Sequence, residues 1–380
     1  MKIRPFGIED WCTLYEYSSK YNLGETCISS FTLQEFFDLA GIDGDAVWND
    51  LKNRTLTYGY LEGNPKFLDG VCSLYRTMKP ENITTTHGCA GANQLVFSAL
   101  IEQGTHVITI LPTYGQLYAI PEAMGGDVDI MMLKRENEFL PDLDELRSLV
   151  REDTKLIVIN NPHNPSGNLI PESMLHEIAE IARSVGAYVL CDETYRHLTQ
   201  NDIYMESMAD IYEKGISVSS MTKVFALAGL RCGWIAAKDP ELNKMLETHR
   251  EYQIISGSYI DEYFAGLVLE HKDKVLARSK AIMRKNLAIV KEWIANEPHL
   301  TMVMPKAATM CMVYYDFDVD SYEMCEDLQK KESVFLMPGR TLDLDDHCFR
   351  LGFSCATQEL IDGLAATSKF FRECTYPVAK

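Results

Sequence analysis

Ser219-Ser220-Met221-Thr222-Lys223-Val224-Phe225-Ala226-Leu227-Ala228-Gly229-Leu230-Arg231-Cys232-Gly233 is the stretch on which the reading of this chain turns. Its approach, Ile216 to Val218, predicts an apolar strand. The strand runs into a hydroxyl-rich turn, one lysine, a run of small residues and one arginine. Lys223 lies between segments that read as buried, not on a charged face. A lysine becomes nucleophilic where its surroundings lower its pKa, and its typical use is then a Schiff base with a carbonyl. Ser220, Thr222 and Arg231 are groups that a phosphate wants nearby. Together they point to a lysine holding an aldehyde cofactor that carries a phosphate. The alternative is a surface lysine at a strand end.

Outward from this stretch, strands and helices alternate. Ile83 to Thr86, His106 to Leu111, Val128 to Leu133, Lys155 to Asn160, Ala187 to Cys191 and Ile216 to Ser219 read as strands. Pro65 to Met78, Asn93 to Ile101, Leu117 to Met124, Leu143 to Val150 and Pro171 to Val185 read as helices. Several strands are continuous apolar runs, as expected when helices cover both faces of a sheet. The alternation predicts a largely parallel α/β sheet with right-handed crossovers. Ligands of such sheets bind beyond the carboxyl ends of the strands. Tyr114, Asn160–Asn164, Asp192–Tyr195 and Ser220–Lys223 all follow strands, so they converge on one sheet edge. After Trp234 the pattern changes to long helices and isolated strands, among them Val334 to Met337 and Cys348 to Ser354, which carries Arg350. The expected division is a large domain over 46–250 and a smaller one built from 1–45 and 251–380.

The formal net charge of −19 argues against nucleic acid and anionic membranes as partners, because both need clustered cations. It leaves room for a small anionic ligand held by a few local arginines. Eleven cysteines, an odd number without a C-x-x-C pair, give no disulfide framework and no metal-site spacing. The N-terminus lacks the apolar core of a signal peptide, and no apolar run approaches the ~20 residues that span a bilayer. The expectation is a reduced, cytoplasmic protein without a metal.

Two more stretches carry chemistry. The strand Ile83 to Thr86 runs into His87-Gly88-Cys89-Ala90-Gly91-Ala92 and then a helix; backbone N–H groups and the helix dipole there make an anion cradle. In Asn160-Asn161-Pro162-His163-Asn164-Pro165-Ser166-Gly167 two prolines restrict the backbone and Gly167 allows a turn, so Asn164 is held rigidly with its amide toward the cleft.

With P-T-Y at 112–114, N-P-H-N-P-S-G at 161–167, D-E-T-Y at 192–195, S-M-T-K at 220–223 and F-R-L-G at 349–352, the chain resembles the class I/II aminotransferase superfamily of fold-type I pyridoxal-phosphate (PLP) enzymes. The resemblance runs from about Tyr58 to Arg350. It implies a mostly parallel seven-stranded sheet with helices on both faces plus a smaller α+β part. It implies that Lys223 forms the Schiff base with pyridoxal 5'-phosphate and then carries the proton at the substrate Cα. Asp192 would pair with the pyridinium nitrogen, Asn164 and Tyr195 with the phenolic oxygen, and Tyr114 would stack on the ring. The phosphate would meet Ser220, Thr222, Arg231, the backbone N–H groups of Cys89 and Ala90, and Tyr58 from the partner subunit, which makes a homodimer. Arg350 and Asn164 would bind the substrate, with Arg350 gripping its α-carboxylate.

The implied activity is that of an aminotransferase working on an L-amino acid and a 2-oxo acid. The same machinery also runs β-C–S lysis and amino-acid cyclisation. A non-catalytic PLP-binding effector domain is a further alternative, against which the lack of a helix-turn-helix or basic segment speaks. The departures concern substrate and phosphate: Cys89-Ala90-Gly91 stands where relatives offer a hydroxyl, and there is no second arginine for a dicarboxylic side chain. Ser29, Ser30 or Asp261 are the candidates to meet a polar or cationic side chain, and the tyrosines 58, 60, 114, 118 and 195 suit aromatic or polar ones.

Overall fold

A computed structural model describes residues 2–344 and 347–378. The alternating pattern forms one seven-stranded sheet: β1 (Ile83–His87), β2 (His106–Leu111), β3 (Asp127–Met132), β4 (Thr154–Asn160), β5 (Tyr188–Asp192), β6 (Gly215–Ser220) and β7 (Cys232–Ala237). Their spatial order is β1-β7-β6-β5-β4-β2-β3. Only β7 runs against its neighbours, β1 and β6. The sequence reading ended its strand pattern before β7. From β6 the chain returns through 221–231 without a crossover helix, and a return of that kind places the next strand antiparallel.

Side chains alternate across the sheet, and both faces are covered. Val107, Leu156, Val158, Leu190, Ile216, Val218 and Ile235 pack against Ala92, Val96 and Leu117, and against Leu242 and Leu246 of the Pro240–Gln253 helix. The intervening Ile108, Ile110, Ile157, Ile159, Val189, Cys191 and Trp234 face the opposite layer, with Phe67, Ile178, Ala182 and Phe264. Each such buried aliphatic side chain contributes about 1.5–3 kcal/mol. The edge strand β3 is the exception, largely half-exposed.

Several helices differ in extent from the expectation. Gly88–Leu100 begins five residues before Asn93, so the small-residue turn is already its first turn. Pro65–Cys72 stops short of Met78. The Val334 to Met337 strand divides: Val334–Phe335 pairs in parallel with Tyr21–Asn22, whereas Met337–Pro338 pairs with Cys348–Gly352. That division ties the N-terminal arm to a four-stranded antiparallel sheet, which continues through Met310–Tyr315 to Leu300–Met302. Leu23 N donates to Phe335 O (3.0 Å) and Gly352 N to Leu23 O (2.7 Å). Gly352 is needed here, because a Cβ on it would lie 2.0 Å from Glu25 O. Among the described residues no helix is long and apolar enough to cross a membrane.

Gly233 sets the other close approach. It pairs with Thr86 on β1 and Ser220 on β6, and an added Cβ would sit 2.3 Å from the Gly88 carbonyl carbon and 2.8 Å from Cys89 N. Gly233→Ala therefore pushes the start of the Gly88–Leu100 helix off the sheet. A loss of about 1–3 kcal/mol is expected, read as a lower urea midpoint with an unchanged slope; an unaltered midpoint would contradict this account.

Candidate active site

The carboxyl ends of β2, β4, β5 and β6 open onto a cleft of about 270 Å³. Its walls include Cys89, Ala90, Tyr114, Asn164, Asp192, Tyr195, Ser220, Thr222, Lys223, Arg231 and Arg350, each singled out from sequence. Register explains the convergence. Asn160 pairs with Asp192, Asp192 with Val218, and Ser220 with Gly233, two residues past Arg231.

Asp192 is buried beneath this cleft. Its Oδ1 accepts from Thr194 N (3.1 Å), while Oδ2 has only long contacts, to Asn93 Nδ2 (3.4 Å) and Cys89 Sγ (3.6 Å). Burial pushes its pKa up, against the pull of the Thr194, Asn93 and Cys89 hydrogen bonds. Glu193, the next residue, points away from the cleft. It accepts from Ser207 and Ser217 and pairs with Arg196 (3.2 Å), so it serves the core. The loop beyond β4 is tied down in turn. Asn164 N donates to Asn160 Oδ1 (2.7 Å), and His163 bridges Ser166 Oγ (2.7 Å) and Pro112 O (2.8 Å), linking the N-P-H-N-P-S-G loop to the turn that carries Tyr114. Burial lowers the His163 pKa to about 4, so it bridges as a neutral ring.

Lys223 differs from the expectation of a lysine with a lowered pKa. Its Nζ lies 3.2 Å from Glu25 Oε1 and 3.1 Å from Cys27 Sγ. Burial alone would depress it, but the Glu25 carboxylate, together with Cys27 and Tyr195, outweighs that and raises it well above the ordinary value. Burial likewise works to raise Glu25. The Lys223 charge and the N–H groups of Thr26 (2.6 Å) and Cys27 (2.7 Å) overcome it and hold the carboxyl well below its usual range. Tyr195 shares a 2.7 Å hydrogen bond with Thr26 Oγ1.

The two ends of the cleft each offer a guanidinium. At one, Arg231 adopts φ 54° and lies against Gly88, where a Cβ would come within 2.8 Å of its Nη2. The N-cap His87 makes no side-chain cap bond, so the first N–H groups of the Gly88–Leu100 helix remain available beside Ser220 and Thr222. At the other end, Arg350 is buried, donating from Nη1 to Asn164 Oδ1 (3.0 Å) and from Nη2 to Gly24 O (2.8 Å).

Some expected residues lie elsewhere. Tyr58 is 72 % exposed, outside this chain's cleft. Ser29, Ser30 and Asp261 do not line it either. The Ser29 backbone is held by Ser354 O (2.9 Å) and Arg278, and Asp261 sits in the first turn of the Tyr259–Glu270 helix. Tyr118 is taken up by Asp343, and Tyr60 stacks on Tyr259. Conversely, Glu9, Cys12, Glu16, Glu25, Thr26 and Asn93 line the cleft and were not anticipated. The signal for Asn93 was a polar residue on an apolar helix face. That for Glu9, Cys12 and Glu16 was their spacing of three and four, one face of a helix.

These walls suit pyridoxal phosphate on their own chemistry. Asp192 Oδ2 and the buried Asn93 Oδ1, which has no partner among the described residues, are acceptors facing the floor; Arg231, two hydroxyls and an uncapped helix end form an anion cradle.

The chain as a whole is similar to known proteins. The chain is 28% identical over 364 residues to capreomycidine synthase from Streptomyces vinaceus, covering 95% of this chain and 92% of that protein. It is 27% identical to an aspartate aminotransferase from Pyrococcus horikoshii, covering 81% of each. Among solved structures, a PLP-dependent aminotransferase from Streptococcus suis superposes with a TM-score of 0.95 at 40% identity, over 98% of both chains. A PLP-dependent cyclase, OrfR, shares the fold at a TM-score of 0.89 and 23% identity, over 98% of both chains. Residues 40–367 match the family described as aminotransferase class I and II, and it is to this family that the chain belongs.

Proposed function

We propose that the protein is a PLP-dependent aminotransferase that moves the amino group of an L-amino acid to a 2-oxo acid, with Lys223 as its central residue. The carrying observation is that Lys223, Asp192, Arg231 and Arg350 share one cleft. Bound pyridoxal phosphate supplies the carbonyl that captures the amine and the electron sink for the pair left on Cα. Asp192 holds the proton on the ring nitrogen, and the low-dielectric floor strengthens that pairing. Asn164 and Tyr195 donate to the phenolic oxygen, and Tyr114 covers the ring. Arg231, Ser220, Thr222 and the N–H groups of Cys89 and Ala90 hold the phosphate. Arg350 would orient the substrate carboxylate, and Lys223 Nζ would take the proton from Cα as a base and deliver it onward as an acid. Glu25 holds Lys223 as an ammonium, so the lysine would have to give up that proton before its amine could bond to a carbonyl.

A second reading, β-C–S lysis or amino-acid cyclisation on the same machinery, draws support from the synthase that aligns with 95% of the chain. Product analysis separates the two. The holoenzyme, mixed with single amino acids, should pass to the amine form of the cofactor with one equivalent of 2-oxo acid. Pyruvate with ammonia, or a cyclic amino acid, would support the second reading. Absence of any cofactor band would remove both. Lys223→Ala should lose the covalent band, and turnover should fall by roughly 10²–10⁴.

The working unit in this proposal is a cytoplasmic homodimer in which Tyr58 reaches the partner's phosphate site. All eleven cysteines are free thiols, which suits a reducing compartment. Tyr58 sits in an exposed apolar patch with Leu56, Tyr60 and Leu61, and Gly59 packs against Gly257 in a neighbouring segment that exposes Tyr252, Ile255 and Ile260. Such a patch suits a subunit contact. Sedimentation should give twice the chain mass, and Tyr58→Phe should loosen cofactor retention. An active monomer would refute this arrangement.

The Glu25–Lys223 pair sets a pH dependence. Removing the anion lowers the Lys223 pKa, so more neutral amine exists at a given pH. In Glu25→Gln, uptake of pyridoxal phosphate by the apoenzyme, followed by absorbance, should have its alkaline limb moved to lower pH. A limb that stays in place or moves upward would show that Glu25 does not control the lysine.

A further inference from the structure

The N-terminal helix Gly7–Tyr15 and its cap residue present Ile8, Glu9, Cys12 and Glu16 to the cleft. This is one helix face, so both carboxylates are delivered to the same wall. Tyr114 donates to Glu9 Oε1 (3.2 Å) and Asn22 Nδ2 to Glu16 Oε1 (3.1 Å). Neither carboxylate has a cationic partner among the described residues in its hydrogen bonds. Glu16 stands at the C-terminal end of its helix, where the helix dipole disfavours an anion. Burial, and then the charge of Glu25, push its pKa upward. Glu16 is thus placed at a cost, whereas Glu9 is exposed in the first turn of the same helix, where the dipole favours an anion; together they face the cleft with carboxylates that no cation of the described residues meets by a hydrogen bond, and a cation from outside the chain would satisfy both.

A second feature of the same cleft points to a ligand independently. Arg350 is 5 % exposed, and its Nε has no hydrogen-bond partner among the described residues. A buried guanidinium N–H without a partner is an unmet donor awaiting an anion. Charge accounting for the remaining wall leads to the same ligand. Asp192 and Arg231 belong to the cofactor in the proposed function, and Lys223 is engaged at its carbonyl. What is left for the substrate is Arg350 at one place and, at another, Glu9 and Glu16, with Glu25 added once Lys223 is engaged. No second arginine lines the cleft to receive a side-chain carboxylate.

We infer that the substrate is an amino acid with a cationic side chain, guanidinium or ammonium, whose α-carboxylate lies at Arg350 and whose distal cation lies between Glu9 and Glu16. The inference rests on the proposed function for assigning Asp192, Arg231 and Lys223 to the cofactor and for placing the carboxylate at Arg350. A guanidinium suits this wall best, because it can donate to two carboxylates at once. A dicarboxylic substrate would set its second anion against both acids.

The test is equilibrium binding to the holoenzyme, by calorimetry, of three acids that lack an α-amino group and so cannot react: 5-guanidinopentanoate, hexanoate and adipate. The guanidino acid should bind at least about tenfold more tightly than hexanoate, and adipate more weakly than hexanoate, as a close charge pair requires. In the Glu9→Gln/Glu16→Gln double variant the ratio of guanidino acid to hexanoate should fall below about 2. Because the readout is a ratio, a general loss of folding or of carboxylate binding does not mimic it. Equal binding of the guanidino acid and hexanoate by the unaltered protein, tighter binding of adipate, or a ratio that survives in the double variant would each overturn the inference. No turnover is involved. A holoenzyme that forms no 2-oxo acid yet keeps the ratio would sink the aminotransferase reading and leave this one standing; the converse result would do the opposite.

Discussion

A carboxylate taken out of water governs this structure. Asp192 is 5 % exposed at the end of a central strand, held by the backbone and side chain of Thr194 and by two long contacts. A buried carboxylate held in this way costs several kcal/mol relative to water. The surrounding order follows from keeping it there. β5 must be central, so that both neighbours exclude solvent. Asn160 and Asn161 must turn back to cover the Asp192 carbonyl, by a 2.8 Å side-chain bond and a 2.9 Å backbone bond. Asn93 must come from the helix above, which is why that helix starts close against β7. Stability is given up at one atom, Oδ2, and what the protein keeps is a buried acceptor at the floor of the cleft.

The N-terminal arm is the second constraint. It threads between the two sheets, bonded to Phe335 and Gly352 through its backbone, and so delivers Gly24, Glu25 and Thr26 to the reaction cleft from the opposite side to Lys223. The cation–anion pair of Lys223 with Glu25 therefore joins two parts of the chain that are 198 residues apart. Arg350 makes the same join, with one N–H on Asn164 from the large sheet's loop and another on Gly24 from the arm. Displacing the arm would disturb carboxylate recognition and lysine charge together.

Much of this was legible in the amino-acid order because the residues concerned carry local signatures. Prolines and glycine around Asn164, hydroxyls before Lys223 and apolar runs before Asp192 are short-range patterns, and the strand rule then places them on one edge. Part of what escaped has no local signature. β7 is six residues whose strand nature depends on β1 and β6 being present on either side. Glu25 reads as an ordinary loop acid until the arm is seen to cross Lys223. The lysine pKa was misread for the same reason, since burial was inferable from the flanking segments and the compensating anion was not. Ser29 and Ser30 looked suited to a ligand, yet Ser29's backbone is tied to Ser354 and the chain has already left the cleft.

Charge works at two ranges in this molecule: a negative field at long range, and both signs, held at separate places, within the cleft. At long range a chain of net charge −19 repels anions and attracts cations. At short range Lys223, Arg231 and Arg350 are concentrated in one cleft of about 270 Å³, where the lowered dielectric makes each worth more than a surface charge. An anionic cofactor must be won by fixed donors at contact distance, because the long-range field is against it. That explains why the anion cradle recruits a helix end and two hydroxyls beside its one arginine. A substrate carrying an extra positive charge meets no such opposition: the field that hinders the phosphate favours its approach, and the arm's carboxylates continue that field to the cleft wall. Added salt screens the long-range part within about 10 Å and leaves the buried contacts nearly untouched, so the two ranges are separable in the rate of approach and the strength of holding.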